Sequence, residues 1–452
     1  MATNPIPSLL DIAQGLSADT YFAPEHLRRL FSDRIARSRA AGKDGIRMDI
    51  FEDRLSENIE IIHRKVLAET YEFTTYKERL LLKGARSTPR QISIPTIRDR
   101  LVLRAVCQIL HDTVPASTGY SPHAVVDRVA RTVRSGEGGR ALVRVDVRNF
   151  FPSVRHALLD QELSRFGLSD VARSLCMKAV STPTGSSDEP ADRGIPQGLS
   201  ISGALACIYM LRFDERQNQR LGNYFRYVDD ILLITEHASA ERSLVSVRRA
   251  LSRIGLSAHP LGTSGKTEIS RVEDGIDYLG YHITRDRISV RESSFQRMFR
   301  NILKVITDFR YRNDIERLVF RLNLKITGCL VDGKRRGWMM FFSRTDNLNQ
   351  LSHLDRFVHQ QLTRVGVTVE DQRRIKRFVK SYYEICFNLD DTDYIPNFEE
   401  YSIDEKVQVV SILLRRSIEE VSAFDIEHLE REFQRLLGQE VHDLEDDVGT
   451  PS

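Results

Sequence analysis

The stretch Tyr224-Phe225-Arg226-Tyr227-Val228-Asp229-Asp230-Ile231-Leu232-Leu233-Ile234 decides the fold. It is aromatic before its acidic pair and aliphatic after it, so it reads as two short β-runs joined at a turn that carries the charges. Adjacent carboxylates in an otherwise apolar strand pair are expensive, because each wants water or a counter-ion. A bound divalent cation supplies that counter-charge, and such a site needs a third carboxylate from elsewhere in the chain.

Asp146 is the natural third ligand. Val143, Val145 and Val147 alternate with Arg144, Asp146 and Arg148, the period of a half-buried strand, which puts Asp146 on the polar face near the strand's end. Phe150-Phe151-Pro152 stops the strand. Alone, Asp146 reads as a solvated strand-end carboxylate and Asp229-Asp230 as a turn. Together they suit two Mg²⁺ ions roughly 3.5–4 Å apart, the arrangement that activates an attacking hydroxyl and neutralises a leaving pyrophosphate.

The 452 residues are enough for two to four domains. Charged residues are 29% and hydrophobics 41%, ordinary for a soluble globular protein. The net charge of +3 is unevenly spread: Glu384–Ser452 holds 5 Lys and Arg against 19 Asp and Glu, a net of −14, which leaves +17 on Met1–Tyr383. A basic body with an acidic appendix suits a polyanion binder. The five cysteines are far apart with no Cys-x-x-Cys pair, which argues against a zinc site or disulfide framework and suits a reducing cytoplasm. The N-terminus lacks the basic and apolar regions of a signal peptide, and no apolar run approaches a membrane span.

Helical spacing is expected over 8–40 and 49–70, strands over 72–82 and 91–95, and helices over 98–111, from Ser200 onward and over about 240–254. Beyond residue 290 the pattern is mainly helical. Arg297–Trp338 carries 11 Lys and Arg against 4 Asp and Glu, with Phe309, Tyr311, Phe320 and Trp338 interspersed. Ser402-x-x-Glu405 and Ser422-x-x-Asp425 predict the caps of two amphipathic helices, the second ending near Gly438 with a frayed acidic tail.

Over about Lys43 to Ile283 the chain resembles a reverse transcriptase. Tyr227-Val228-Asp229-Asp230 looks like that family's catalytic signature, and Asp146-Val-Arg-Asn-Phe-Phe-Pro152 like the strand of the first catalytic aspartate. Arg193-Gly-Ile-Pro-Gln-Gly198 is similar to the loop under the templating pair, and Arg90-Gln-Ile-Ser-Ile-Pro95 with Asp99-Arg100 to the fingers strand. Gly265-Lys266-Thr267 and Tyr278-Leu279-Gly280 stand where the later palm lysine and the primer grip belong. Six motifs in order make this specific.

The resemblance implies an α+β right-hand polymerase. Its parts would be an N-terminal helical segment (1–48), fingers (49–140), a palm with an antiparallel sheet and the catalytic hairpin (141–290), a basic helical thumb (291–383) and an acidic helical segment (384–452). It implies an RNA-directed DNA polymerase that adds dNTPs with two Mg²⁺ ions, Mn²⁺ being a substitute. Asp146, Asp229 and Asp230 would be catalytic and, with the Val147 carbonyl, would hold metal. Lys83, Arg90, Arg148, Asn149, Phe150, Phe151, Gln197 and Lys266 would contact the nucleotide, Phe151 as the gate that excludes a ribose hydroxyl. Tyr278, Leu279 and Gly280 would grip the primer. Arg310, Arg312, Arg317, Arg321, Lys325, Lys334, Arg335 and Arg336 would hold nucleic acid.

Within the family, Leu324-Lys-Ile-Thr-Gly-Cys329, Gly333-Lys-Arg-Arg-Gly-Trp338 and Leu354-Asp-Arg-Phe-Val358 look most like bacterial defence-associated (unknown-group) reverse transcriptases of the retron and group II intron-like lineage. That implies a cytoplasmic antiphage enzyme with a non-coding RNA as template or scaffold, a DNA product and a homo-oligomeric form in some members. Two other readings stand beside it: template-independent or RNA-scaffolded nucleotide addition, and a non-catalytic nucleic-acid-binding assembly protein with a vestigial palm. The acidic segment is expected to make an oligomer contact, to cover the basic cleft as a lid, or to close the thumb as a small helical pair.

Overall fold

The structure, a computed structural model, describes residues 18–36, 40–81, 89–136, 138–186, 189–263 and 266–448. Lys83 lies outside them. The chain divides into two compact units, Met1–Ser121 with Arg140–Ile269, and Pro122–Gly139 with Ser270–Ser452. Among the described residues no helix is long and apolar enough to cross a membrane.

In the first unit, β1 (Lys77–Leu81) and β2 (Arg90–Ile94) form an antiparallel ribbon with Leu81 opposite Arg90. Helix Ile97–Thr113 follows, capped by the Thr96 side chain. Asp99 in its first turn is buried and accepts hydrogen bonds from Tyr71 Oη (2.8 Å), Thr96 Oγ1 (2.7 Å) and the Thr74 amide (3.2 Å). Such satisfaction is what a buried carboxylate requires, and it gives Asp99 a structural role.

The main sheet has five strands. β3 (Arg140–Arg148) is followed by β4 (Tyr224–Tyr227), β5 (Asp230–Glu236), β6 (Ser257–Ala258) and β7, which begins at Glu268. The order is β4-β5-β3-β6, with β7 also paired to β3. The β3–β5 register sets Arg144 opposite Leu232 and Asp146 opposite Asp230. The aliphatic run of β5 is buried, as is every residue of β3 from Ala141 to Val147. The half-buried strand expected from the alternation is therefore buried on both faces. Its polar side chains are covered because they meet opposite charge rather than water. Helix Ala240–Arg253 packs on the sheet, and helix Ser202–Leu221 packs against β4.

The Gly194–Gly198 loop is stitched between two elements. The Gly194 and Ile195 amides donate to the Val154 and Phe151 carbonyls (2.7 and 2.9 Å), and the Ser93 amide of β2 donates to the Gln197 carbonyl (2.7 Å).

In the second unit, β8 (Ile276–Tyr278), β9 (Tyr281–Ile283) and β10 (Ile288–Val290) form an antiparallel meander. The two-residue turn Leu279-Gly280 has φ of +49° and +85°, the sign that tight hairpin turns favour. Helices Glu292–Arg312 and Ile315–Thr327 pack together, and after them the helical pattern is broken by a hairpin, β11 (Cys329–Val331) and β12 (Lys334–Arg336). Its Asp332-Gly333 turn, φ +52° and +64°, is the Asp-Gly hairpin signal, which the reading of this region as mainly helical passed over.

The acidic segment departs from expectation at its end. Ser402 and Glu405 do form a capping box, but the last helix begins with Asp425, whose carboxylate accepts from the His428 amide (2.7 Å), and runs Ile426–Val448 straight through Gly438. An interior glycine costs about 1 kcal/mol. Burial of Phe433, Leu437 and Leu444 beside Leu324 and Cys329 outweighs it, at about 1.5–3 kcal/mol for each large side chain.

Gly198 has φ of +110°, and a Cβ there would lie 2.6 Å from the Ser93 carbonyl oxygen and 2.9 Å from Ile92 Cγ2. Gly198→Ala should destabilise the protein by about 1–3 kcal/mol, read as a lower urea midpoint at unchanged slope.

Candidate active site

Asp146 lies beside the Asp229-Asp230 turn because β3 and the β4–β5 hairpin are in register. Tyr227 and Asp230 close the hairpin, and Val228-Asp229 is its turn. Val228 has φ of +54°, a conformation that a β-branched residue resists at a cost of about 1–3 kcal/mol. Arg226 holds that turn. Its Nη1 donates to the Val228 carbonyl (2.9 Å), while Nε donates to Asp214 Oδ1 (2.7 Å) and Nη2 also bonds Asp214. The Val147 amide donates to the Asp229 carbonyl (3.0 Å), which ties the turn to the end of β3.

Asp146 is 2% exposed. Its Oδ1 accepts from Lys266 Nζ (3.0 Å), and its Oδ2 lies 3.3 Å from His259 Nε2. Asp230 is 0% exposed and is clasped by Arg144, itself 2% exposed, through Nε to Oδ1 (2.9 Å) and Nη2 to Oδ2 (2.6 Å). Burial, with the neighbouring charges of Asp229 and Asp146, holds the Asp230 carboxyl up at about 6 against the downward pull of the Arg144 fork. Burial also works against the Arg144 charge, but Asp230 outweighs it and holds the guanidinium above its ordinary value. Both partners are therefore charged at neutral pH.

This revises the expectation of three converging carboxylates. Arg144, Asp146 and Asp230 share one face of the sheet, and the diagonal from position 144 to position 230 is within reach of a long arginine. The guanidinium consequently occupies both Asp230 oxygens. Among the described residues no group of three His, Cys, Asp or Glu side chains is arranged to hold a metal ion. Asp146, the Asp229 turn and the Val147 backbone remain as a set of hard oxygen donors of the kind Mg²⁺ takes.

The other expected nucleotide contacts fall around this point of the first unit or beside it. Arg148 is exposed at the end of β3, and Asn149 is left-handed (φ +45°), turning the chain into the short helix Phe150–Ser153. Phe150 is buried, and Phe151 is half-buried and edge-on to it at 5.5 Å. The Gly194–Gly198 loop, which contains Gln197, joins the Phe151 carbonyl on one side to β2 on the other, and the first residue of β2 is Arg90. Arg144 and His259 were passed over in sequence. Arg144 looked like one more outward charge of an alternating strand, and a lone histidine after a two-residue strand gives no signal.

Tyr278, Leu279 and Gly280 lie in the second unit, with Tyr278 and Leu279 buried in the meander and Gly280 against the Phe341 and Phe342 rings. The eight basic residues expected to hold nucleic acid divide. Arg310, Lys334 and Arg335 are exposed, and Arg312 pairs with Asp308 (2.8 Å) within its own helix. The others meet the acidic segment. Arg317 Nη1 donates to the Leu413 carbonyl (2.9 Å), and Arg321 pairs with Glu440 (2.9 Å) and Asp443 (3.0 Å). Arg336 pairs with Glu445, and buried Lys325 pairs with Asp447 (2.8 Å), which Asn301 also contacts (2.6 Å). Covered in this way, Lys325 has no surface to offer a phosphate.

Residues 81–283 match the family described as "Reverse transcriptase (RNA-dependent DNA polymerase)". The chain therefore carries a reverse transcriptase domain, and its enzymatic class is RNA-directed DNA polymerase. Among solved structures it is similar to a telomerase from Candida albicans in complex with a fragment of telomeric RNA, at 15% identity over 84% of this chain and 68% of that chain, with a TM-score of 0.43. No curated protein matches the sequence.

Removing one partner of a buried ion pair leaves an uncompensated charge. Arg144→Leu should cost about 3–5 kcal/mol, while Arg144→Leu with Asp230→Leu should recover most of it. A double-mutant cycle in urea checks this, and equal losses in the single and double variants would show that the pair does not stabilise the sheet.

Proposed function

We propose that this protein copies RNA into DNA, adding dNTPs to a 3′-hydroxyl at a site formed by Asp146, Asp229 and the Val147 carbonyl. The observation that carries the reading is the β3–β5 register, which sets Asp146 beside the Asp229-Asp230 turn inside a reverse transcriptase domain. These oxygens would hold Mg²⁺, with Mn²⁺ as a substitute. When bound, the ions supply charge stabilisation for the attacking hydroxyl and the departing pyrophosphate. Asp230, clasped by Arg144, braces the turn from behind in this reading.

The remaining roles follow from chemistry. Arg90 offers a guanidinium fork to the triphosphate, and Lys83 a point charge. The Phe151 ring excludes a ribose 2′-hydroxyl. Gln197 touches the incoming nucleotide, and Lys266, already 3.0 Å from Asp146, holds a proton for the leaving pyrophosphate. Arg310, Lys334 and Arg335 supply phosphate contacts that are independent of sequence. Incorporation of dNTPs on an RNA template with a primer tests this. Asp146→Ala and Asp229→Ala should each lower the rate by about a thousandfold, the equivalent of roughly 4 kcal/mol, and a chelator should abolish it until Mg²⁺ is restored. Variant rates equal to wild type would sink the reading.

The template is, in this proposal, a dedicated non-coding RNA, and the setting is bacterial antiphage defence. The Leu324–Cys329 and Gly333–Trp338 stretches support that branch of the family. Sequencing the RNA that copurifies with the protein should return one dominant species. A pool that mirrors total cellular RNA would overturn it.

A further inference from the structure

Two stripes of arginine face one another in the first unit, and none of them takes part in the carboxylate site. Arg212, Arg216 and Arg220 recur every fourth residue along the Ser202–Leu221 helix, and Arg242, Arg249 and Arg253 lie on one face of the Ala240–Arg253 helix. Together they line a groove of about 750 Å³, with Glu162 and Glu241 among its walls and Tyr209 and Phe213 at its base.

Like charges spaced four apart on a helix repel. Only Arg212 is offset, by Glu162 at 3.2 Å; among the described residues Arg216, Arg220, Arg249 and Arg253 make no ion pair, and all four are exposed. The groove also holds hydrogen-bonding capacity that the protein leaves open. Gln217, between Arg216 and Arg220, is 4% exposed, yet its Oε1 has no hydrogen-bond partner among the described residues. The same holds for Ser246 Oγ and Glu162 Oε2 in the same lining. Ser246 Oγ can donate to a phosphate oxygen, and Gln217 Oε1 and Glu162 Oε2 can accept from a ribose 2′-hydroxyl, so the open atoms of this groove suit an RNA backbone.

The guest's chemistry follows from the lining. Ser202–Arg253 contains no lysine, so the cation chosen is the planar fork that pairs two-pronged with phosphate. The stripes run about 12 Å and 16 Å at 1.5 Å per residue, which suits a chain of phosphates better than a single one. Tyr209 is buried and Phe213 is buried, so bases find no stacking platform here. Contact falls on backbone phosphates, which position a strand without reading it. A reverse transcriptase domain handles RNA and its DNA copy, and of the two only RNA carries the 2′-hydroxyl that the open acceptors Gln217 Oε1 and Glu162 Oε2 can take.

We propose that this groove is a second RNA track, which grips the phosphodiester backbone on the outer helices of the domain, separately from the template at the catalytic carboxylates. Binding of a short unstructured RNA, without nucleotides, is measured against salt concentration for wild type and for Arg216→Glu/Arg220→Glu/Arg249→Glu/Arg253→Glu. The reversed protein should bind at least about tenfold more weakly, and its log–log salt slope should fall by about 2 to 3, the counterions of four lost contacts on a single strand. The fourfold Arg→Lys variant should keep the slope. Dinucleotide-scale extension of a short primer–template should stay at the wild-type rate in both.

Unchanged affinity and slope in a reversed protein that melts like wild type would overturn the proposal. So would poly-glutamate displacing the RNA as well as an RNA of equal charge does, which would assign the groove to an acidic protein. Should the fourfold reversal fail to fold, Arg216→Gln/Arg249→Gln reads the same slope with about half the change. Repeating the measurement in Asp229→Ala separates this proposal from the catalytic one, because binding at the groove should persist there.

Discussion

A buried guanidinium clasping a buried carboxylate, Arg144 on Asp230, is the constraint on which the first unit depends. Two charges cannot be taken out of water unless they meet, and here they meet across neighbouring strands. A slip of one residue between β3 and β5 would leave Arg144 and Asp230 on opposite faces of the sheet, each buried without its partner. The ion pair thus selects one register, and that register sets Asp146 beside the hairpin turn. Asp146, 2% exposed, has Lys266 and His259 against its two oxygens.

The protein handles its uneven charge in two ways. In the second unit the acidic helix Ile426–Val448 lies along basic residues that precede it in sequence by more than a hundred positions, and its carboxylates neutralise Arg321, Lys325 and Arg336 one by one. In the first unit Arg216 and Arg220 of the Ser202–Leu221 helix and Arg249 and Arg253 of the Ala240–Arg253 helix are left exposed instead. Surface ion pairs are worth little individually, so this difference says more about what each surface can accept than about stability.

Much of this was legible in the sequence. The alternation over 143–148 placed β3, and the aromatic-to-aliphatic switch about Asp229 placed the hairpin, because strand period and turn chemistry are local. What escaped was non-local. Nothing in the sequence distinguishes Arg144, which turns inward to a partner 86 residues away, from Arg148, which stays outside. The length of the last helix was underestimated for the same reason: Gly438 is a local stop signal, and it is overridden by a core contributed by Leu324, Cys329 and Phe398. His259 reaches Asp146 only because β6 pairs with β3.

The turn at Val228 is held by Arg226, and Arg226 is held by Asp214. Asp214 belongs to the Ser202–Leu221 helix, between Arg212 and Arg216. The strained backbone beside Asp229 is therefore moored to the same helix that carries one arginine stripe. A mooring transmits displacement in both directions. An anion that shifts the helix changes the free energy of the turn, and thermodynamic linkage requires whatever binds at the turn to alter anion affinity by the same factor. The outer helix and the turn are joined in this way through one salt bridge and one carbonyl.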